Sequence, residues 1–311
     1  MNKCFEHRPV LLEECIEGLA VSPDGIYIDG TAGGAGHSAA IAGKLTSGRL
    51  IAIDRDPAAV QAARERLAQF GPAATIVQAN YSEIPAVLDS LGIEGANGVL
   101  LDLGVSSHQL DEAHRGFSYH QDAILDMRME QSGMSAADVV NNYDERELTR
   151  IFREYGEEKF APRIARAITA ARTQEPIATT GQLVELIKAG IPAAARREGG
   201  HPAKRVFQAI RIEVNSEFAH LRDCLASAFE MLLPGGRFAV ITFHSLEDRI
   251  VKQSFAKFCE GCTCPPQFPV CVCGKEPKAR LVNRKPITAK ADELAENNRS
   301  RSAKLRVLEK T

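Results

Sequence analysis

Through its first hundred or so residues the chain alternates four short, mostly apolar runs with stretches of helical spacing, and few folds accommodate that alternation. Val10, Leu11, Leu12, Cys15, Ile16 and Leu19 recur at helical spacing, and Gly25 to Thr31 then reads as a buried strand entering a glycine-rich loop. A helix is expected from Ser38, a strand over Arg49 to Asp54, a helix from Pro57 to Leu67 with proline in its first turn, and strands over Ala74 to Gln78 and Gly98 to Asp102. Strands that are apolar throughout, rather than at every second residue, predict a mostly parallel sheet covered on both faces. Ligands of such sheets bind beyond the carboxyl ends of the strands. Three of these strands end on an acid, Asp29, Asp54 and Asp102, which places three carboxylates on one edge.

The alternation stops near Glu112. From there to Arg205 the pattern is helical, as in Glu145 to Phe152 and Phe160 to Ala171, with no convincing strand. A long helix from Phe207 to Leu233, the turn Pro234-Gly235-Gly236, a strand over Arg237 to Phe243 and a closing strand over Lys304 to Leu308 follow. The predicted organisation is an α/β domain in two pieces, residues 1–111 and 207–311, interrupted by a helical insertion, residues 112–206. No internal repeat points to a solenoid.

Charge is segregated along the chain. The 311 residues carry a formal charge of only −2, which excludes a uniformly basic nucleic-acid sleeve and an acidic disordered chain. Residues 275–311 nevertheless hold eleven Lys and Arg against five Asp and Glu, a balance of +6 that leaves −8 for the rest. A solvated tail is the plain reading of that basic end. The amino terminus has no signal-peptide core, and no run approaches a membrane span, so a cytoplasmic protein with no membrane partner is expected.

Thr31 to His37 forms the glycine loop between the first strand and its helix, where unpaired amides at a helix start can meet a ligand. Gly34-x-Gly36-x-x-Ala39 satisfies a relaxed dinucleotide fingerprint, and Asp54, twenty residues past Gly34, stands where a ribose-binding carboxylate is expected. A structural glycine turn is the bland alternative. Between ligands, Asp29 beside the loop would repel a pyrophosphate but attract the sulfonium and ammonium of S-adenosylmethionine, and Asp102 adds a second carboxylate. The loop therefore favours a methyltransferase over a nicotinamide-dependent oxidoreductase.

Asp29-Gly30-Thr31 to Gly36-His37-Ser38, Ala52 to Pro57, Leu100 to Asp111 and Arg115-Gly116-Phe117-Ser118 resemble the bacterial 16S ribosomal RNA (cytosine-N4) methyltransferases. Leu125 to Met129, Tyr155 to Phe160, Phe207 to Glu217 and Phe243 to Arg249 look like further blocks of that family, so the likeness spans nearly the whole chain. The resemblance implies a Rossmann-like class I methyltransferase fold. It implies S-adenosyl-L-methionine as cofactor, bound by Ala35, Gly36, His37, Asp54, Tyr81, Asp102 and Gln109, and a cytidine in the decoding region of 16S rRNA as substrate. The partner would be the small ribosomal subunit, with no DNA partner expected. Ala35 stands where many family members carry glycine. A non-catalytic ribosome-binding module with a vestigial loop is the remaining alternative.

Methyl transfer is an in-line displacement that needs the nucleophile held about 3 to 3.5 Å from the methyl carbon. The cytosine N4 lone pair is delocalised, so an acceptor for an N4 hydrogen would help it attack. Asp102 is the candidate acceptor; a carboxylate that only holds the cofactor is the equal alternative. The cytidine is expected to be unstacked into a pocket over the strand ends. Arg163, Arg166, Arg196, Arg197, Lys204 and Arg205 in the insertion, and Arg299 and Arg301 in the basic end, are candidate phosphate contacts, or simply solvated. His244 and Glu247-Asp248-Arg249 fall on the same sheet edge, where helix capping and ion pairing would explain them.

Eight cysteines in a cytosolic chain are not a disulfide framework. Five cluster as Cys259, Cys262, Cys264, Cys271 and Cys273. Four thiolates would suit a structural zinc, but C-x-C spacing and an odd fifth cysteine depart from paired knuckles, so metal binding and unliganded loop cysteines stand level and no metal ligand is assigned.

Overall fold

The computed structural model describes residues 9–197, 200–265, 270 and 273–311. The apolar runs form a seven-stranded sheet: β1 (Ile26–Asp29), β2 (Arg49–Asp54), β3 (Ala74–Gln78), β4 (Ala96–Asp102), β5 (Leu232–Thr242), β6 (Ala279–Leu281) and β7 (Lys304–Lys310). Their order is β3-β2-β1-β4-β5-β7-β6. β1 to β5 run parallel, and β7 is antiparallel to both β5 and β6. The chain lays β2 and β3 on one side of β1 and then returns to place β4 on the other. β1 and β4 therefore flank the switch point where open α/β sheets leave a crevice.

Local chemistry explains the elements. Pro57 at the first position of helix Pro57–Leu67 supplies a preset φ, while the Asp56 side chain accepts from Ala58 N at 3.0 Å. Leu50, Ile51, Ala52 and Ile53 are fully buried, as a strand covered on both faces requires. The turn expected at Pro234-Gly235-Gly236 lies inside β5. Ala96 pairs with Leu232 and Gly98 with Arg237, so the turn residues bulge out between two paired positions, with Gly235 at φ +77°.

Two compact units emerge, residues 1–104 with 219–311, and residues 105–218. The helical insertion expected over 112–206 is thus longer at both ends. The reason is packing: Val105, Leu110 and Val214 lie against the core of the helical unit, not that of the sheet. The one long helix expected from Phe207 to Leu233 is also corrected. It is two helices, Lys204–Val214 and Glu217–Glu230, broken at Ser216, which adopts φ +48°.

The helical unit is built on helices Ala136–Asn142, Glu145–Glu154, Ala161–Ala171, Thr180–Gly190 and Lys204–Val214. Reciprocal capping boxes start three of them, at Ser135 with Asp138, Asp144 with Glu147 and Thr179 with Gln182. Its core centres on Ile151, Phe152, Ile164, Ile168, Ile187 and Ile210, and the only pairing among its described residues is an isolated bridge between Ile124 and Thr179.

Asn215, which caps the helix just before the break, has a structural use. The buried amide donates to Met127 O at 2.7 Å and Arg211 O at 2.9 Å and accepts from Met129 N at 2.8 Å, and Arg211 holds Glu217 through two bonds of 2.7 and 2.9 Å. Asn215→Ala is expected to lower stability by about 2 to 4 kcal/mol, by stranding buried backbone groups. Urea unfolding with an unchanged m value would register it as a lower midpoint; an unaltered midpoint would refute the assignment. Among the described residues no helix is long and apolar enough to cross a membrane.

Candidate functional site

The register of the central strands sets the site. Asp29 pairs with Ala52 of β2 and Leu100 of β4, so Asp54 and Asp102 each stand two residues beyond it, one on either side. Asp29 is consequently at the floor, 1% exposed, while Asp54 and Asp102 form the lip and are half-buried. The three carboxylates expected to share an edge do so.

Each acid is held differently. Asp29 accepts from Thr31 N at 3.1 Å and Ser38 Oγ at 2.6 Å, so its oxygens already tie the loop to its helix. Its expected attraction for a cation is thus exerted from beneath the loop. Asp54 accepts from Gly33 N at 2.8 Å and Asp56 N at 2.9 Å, fixing the loop, with Gly33 at φ +50°, against the end of β2. Asp102 has its backbone N–H pinned by Thr31 Oγ1 at 2.6 Å. Its Oδ1 is closed off with no hydrogen-bond partner among the described residues, while Oδ2 lies 3.7 Å from His37 Nδ1.

Burial penalises the ionised form at every one of these positions. Asp29 is raised above the ordinary carboxylate range by desolvation, opposed by His37 and by the Ser38 and Thr31 donors. Asp54 is pushed up to about 6 by desolvation, against its two backbone donors. Asp102 is pushed up to about 6 by desolvation, with His37 lowering it and Asp29 and Glu247 raising it. The sign of the consequence is fixed by linkage: a carboxyl raised in the folded state contributes stability that is full below its unfolded value, about 4, and lost as pH rises through about 6. Thermal unfolding of the ligand-free protein should therefore shift upward between pH 7.5 and 5.5. A melting temperature that falls over that interval would contradict the assignment.

His37 is buried, with Nε2 3.0 Å from Val10 O. A carbonyl only accepts, so Nε2 carries the proton, and Nδ1 faces Asp102 as a donor only in the imidazolium form. Ala35 is fully buried and left-handed at φ +56°, a conformation that costs an alanine about 1 kcal/mol and that glycine adopts freely. Gly36 opens helix Gly36–Ala42. Tyr81 begins the short turn after β3, and glycine at position 30 lets it approach, because a Cβ there would lie 3.1 Å from Tyr81 Cβ and 2.6 Å from Leu101 Cδ2. Ala35, Gly36, His37, Asp54, Tyr81 and Asp102 thus all belong to the sheet unit and to its carboxyl edge. Gln109 belongs to the helical unit, where it is buried and closes a capping box with Ser106.

Sequence reasoning missed Thr31, Ser38 and Asn80. Asn80 caps the turn at Tyr81 through Oδ1, and its buried Nδ2 has no hydrogen-bond partner among the described residues. The Asn80-x-x-Glu83 spacing was the available signal, since it is a capping box. For His244 to Asp248 the plain explanation holds: His244 caps helix Ser245–Phe258, Glu247 accepts from Phe243 N at 2.8 Å, and Asp248 pairs with Arg306 at 2.7 Å. Among the candidate phosphate contacts, Arg166 lies 3.5 Å from Glu145 and Arg205 donates to Glu157 O, while Arg163, Arg196, Lys204 and Arg301 are exposed. The Arg197 side chain and Cys271 lie outside the described residues.

The donor set suits a cationic nucleoside ligand. Three carboxylates stand at the edge, a Cβ on Gly34 would meet none of the described residues within 4 Å, and Arg66 is engaged with Gly34 O at 3.0 Å. Fold order and site together define a class I methyltransferase type of α/β domain, with an antiparallel final hairpin and an acidic loop edge. The chain belongs to the MraW methylase family, which it matches over residues 4–311. It is 58% identical to the ribosomal RNA small subunit methyltransferase H of Symbiobacterium thermophilum, over 98% of this chain and 97% of that one. It is 58% identical to methyltransferase H 2 of Agathobacter rectalis and 56% identical to methyltransferase H of Brevibacillus brevis, over 98% of this chain and 98% of each relative.

Proposed function

We propose that the chain transfers a methyl group from S-adenosyl-L-methionine to the N4 amine of a cytidine in the decoding region of 16S rRNA, acting in the cytoplasm on the small ribosomal subunit. The observation that carries the reading is the pair of lip carboxylates, Asp54 and Asp102, flanking a glycine loop in which a Cβ on Gly34 would meet none of the described residues. Bound there, S-adenosylmethionine supplies an electrophilic methyl group on a sulfonium.

The chain's own residues do the rest. Asp54, fixed by two backbone donors, takes the ribose hydroxyls, and Tyr81 lies against the adenine. The backbone at Gly36 and His37, where the helix starts, meets the methionine end, the Ala35 N–H being donated to Ala32 O at 2.6 Å, while the charge of Asp29 acts from below. Gln109 is assigned on the family resemblance alone. Asp102 presents Oδ2 to accept an N4 hydrogen as the amine attacks, because Oδ1 is closed off. A carboxyl titrating near 6 is ionised at neutral pH yet basic enough to take the proton afterwards.

Titration calorimetry with S-adenosylhomocysteine and with NAD separates this reading from an oxidoreductase. S-adenosylhomocysteine is expected to bind and NAD to give no heat; the reverse would overturn the proposal. Labelled methyl transfer to small subunits, against naked RNA, tests the partner, and transfer to neither would leave only a ribosome-binding module.

A further inference from the structure

The cysteine loop lies far along the sequence from the three edge carboxylates. It leaves helix Ser245–Phe258 and enters β6, and among its described residues from Glu260 to Lys278 not one is buried. The described part of the segment thus contributes no hydrophobic core of its own, the situation in which small modules are held by a metal. Its two arms are nonetheless drawn together. The Sγ atoms of Cys262, Cys264 and Cys273 all lie within 4.8 Å of one another, those of Cys262 and Cys273 are 3.7 Å apart, and none is in a disulfide.

We propose that Cys262, Cys264 and Cys273 bind one zinc ion that clamps the two arms of this loop. A tetrahedral site with Zn–S bonds of about 2.3 Å separates its sulfurs by about 3.8 Å, which is the spacing of the Cys262 and Cys273 sulfurs. Three thiolates this close repel one another unless a cation lies between them. The backbone supports the charge as well: Cys264 N–H points at Cys262 Sγ at 3.4 Å, an amide directed at a ligand sulfur. The Lys275 to Glu260 ion pair, 3.3 Å, joins the same two arms. On binding, each thiol gives its proton to solvent and its sulfur lone pair to the ion. Cys259 is not part of the set, since it meets the backbone N–H of Leu281 instead. The ion would fix where the basic segment beginning at Lys275 starts, and the thiols are far in sequence from the carboxylate edge.

Elemental analysis of the full-length protein, purified under reducing conditions without chelator and then loaded with zinc and desalted, is the test. About one zinc per chain is expected. The triple variant Cys262→Ser, Cys264→Ser, Cys273→Ser should hold less than about a tenth of that, and Cys259→Ser should hold it all. Cobalt substitution supplies a second readout in the wild type, where a thiolate-to-cobalt charge-transfer band is expected and should vanish in the triple variant, whose folding is checked by its retained S-adenosylhomocysteine binding. Chelation should speed tryptic cleavage after Lys275 and Lys278 by at least about tenfold. Wild-type protein with neither stoichiometric zinc nor a charge-transfer band, or a triple variant that keeps its zinc, would overturn the proposal.

Discussion

Asp102→Asn is expected to lower kcat for methyl transfer by about 10² to 10⁴-fold, the range typical of losing a positioned general base. The substitution preserves the shape of the side chain, and the backbone N–H of residue 102 stays on Thr31 Oγ1. What is lost is a charged acceptor at the Oδ2 position. An amide also presents donor hydrogens either toward His37 or into the closed pocket of the orphaned Oδ1. Affinity for S-adenosylhomocysteine, which lacks the sulfonium, should change less than fivefold or so, because the proposed site leaves the nucleoside to Asp54 and to the loop it fixes through Gly33 N–H. Single-turnover kinetics with parallel calorimetry separates the two. If kcat survives while affinity collapses, Asp102 is a cofactor ligand and nothing more. In the wild type the rising limb of kcat/KM should lie near pH 6, where the Asp102 and Asp54 carboxyls both ionise, and the variant should lose the Asp102 component and keep the shallower dependence set by Asp54.

Asp54→Ala is expected to weaken S-adenosylhomocysteine binding by about 10²-fold. Two effects combine. The ribose loses a charged acceptor worth about 1.5 to 3 kcal/mol, and the N–H groups of Gly33 and Asp56 lose theirs, which frees the loop from the end of β2. Asp54→Asn retains an acceptor oxygen for one of those amides and should recover part of the affinity. Equilibrium dialysis with labelled S-adenosylhomocysteine checks both, and an affinity within threefold or so of the wild type for Asp54→Ala would remove Asp54 from the site.

The legible part of the fold was the part governed by local pattern. β2, β3 and helix Pro57–Leu67 have the bounds expected, because short apolar clusters closed by a polar residue and a proline at the first helical position are strong local signals. β6 was missed since Ala279-Arg280-Leu281 is a three-residue edge strand with two exposed side chains and no period to read. The helix break at Ser216 and the unit boundaries at 104/105 and 218/219 depend on which core a residue joins, and helical spacing carries no record of that. At the site, the terminal acids of β1, β2 and β4 were readable one strand at a time. Their unequal depth was not, because the two-residue offset of Asp29 arises only when the strands pair. The Thr31 and Ser38 bonds follow from the same register.

Segregated charge resolves a tension in the sequence. A net charge of −2 offers no bulk attraction for RNA, yet acids crowd the sheet edge where a cationic cofactor fits and bases gather after Lys275. RNA recognition should then rest on a few placed cations and on RNA shape, with a shallow dependence of KM on salt.

The measurement that bears most directly on the whole account is the identity of the methylated nucleoside. Unmethylated small subunits incubated with the protein and labelled S-adenosylmethionine, digested to nucleosides and resolved by mass spectrometry, should yield a single cytidine carrying the label on its exocyclic N4. A label on ring carbon 5, on a ribose hydroxyl or on another base, or no label at all, would contradict the roles assigned to Asp102 and to the edge it stands on.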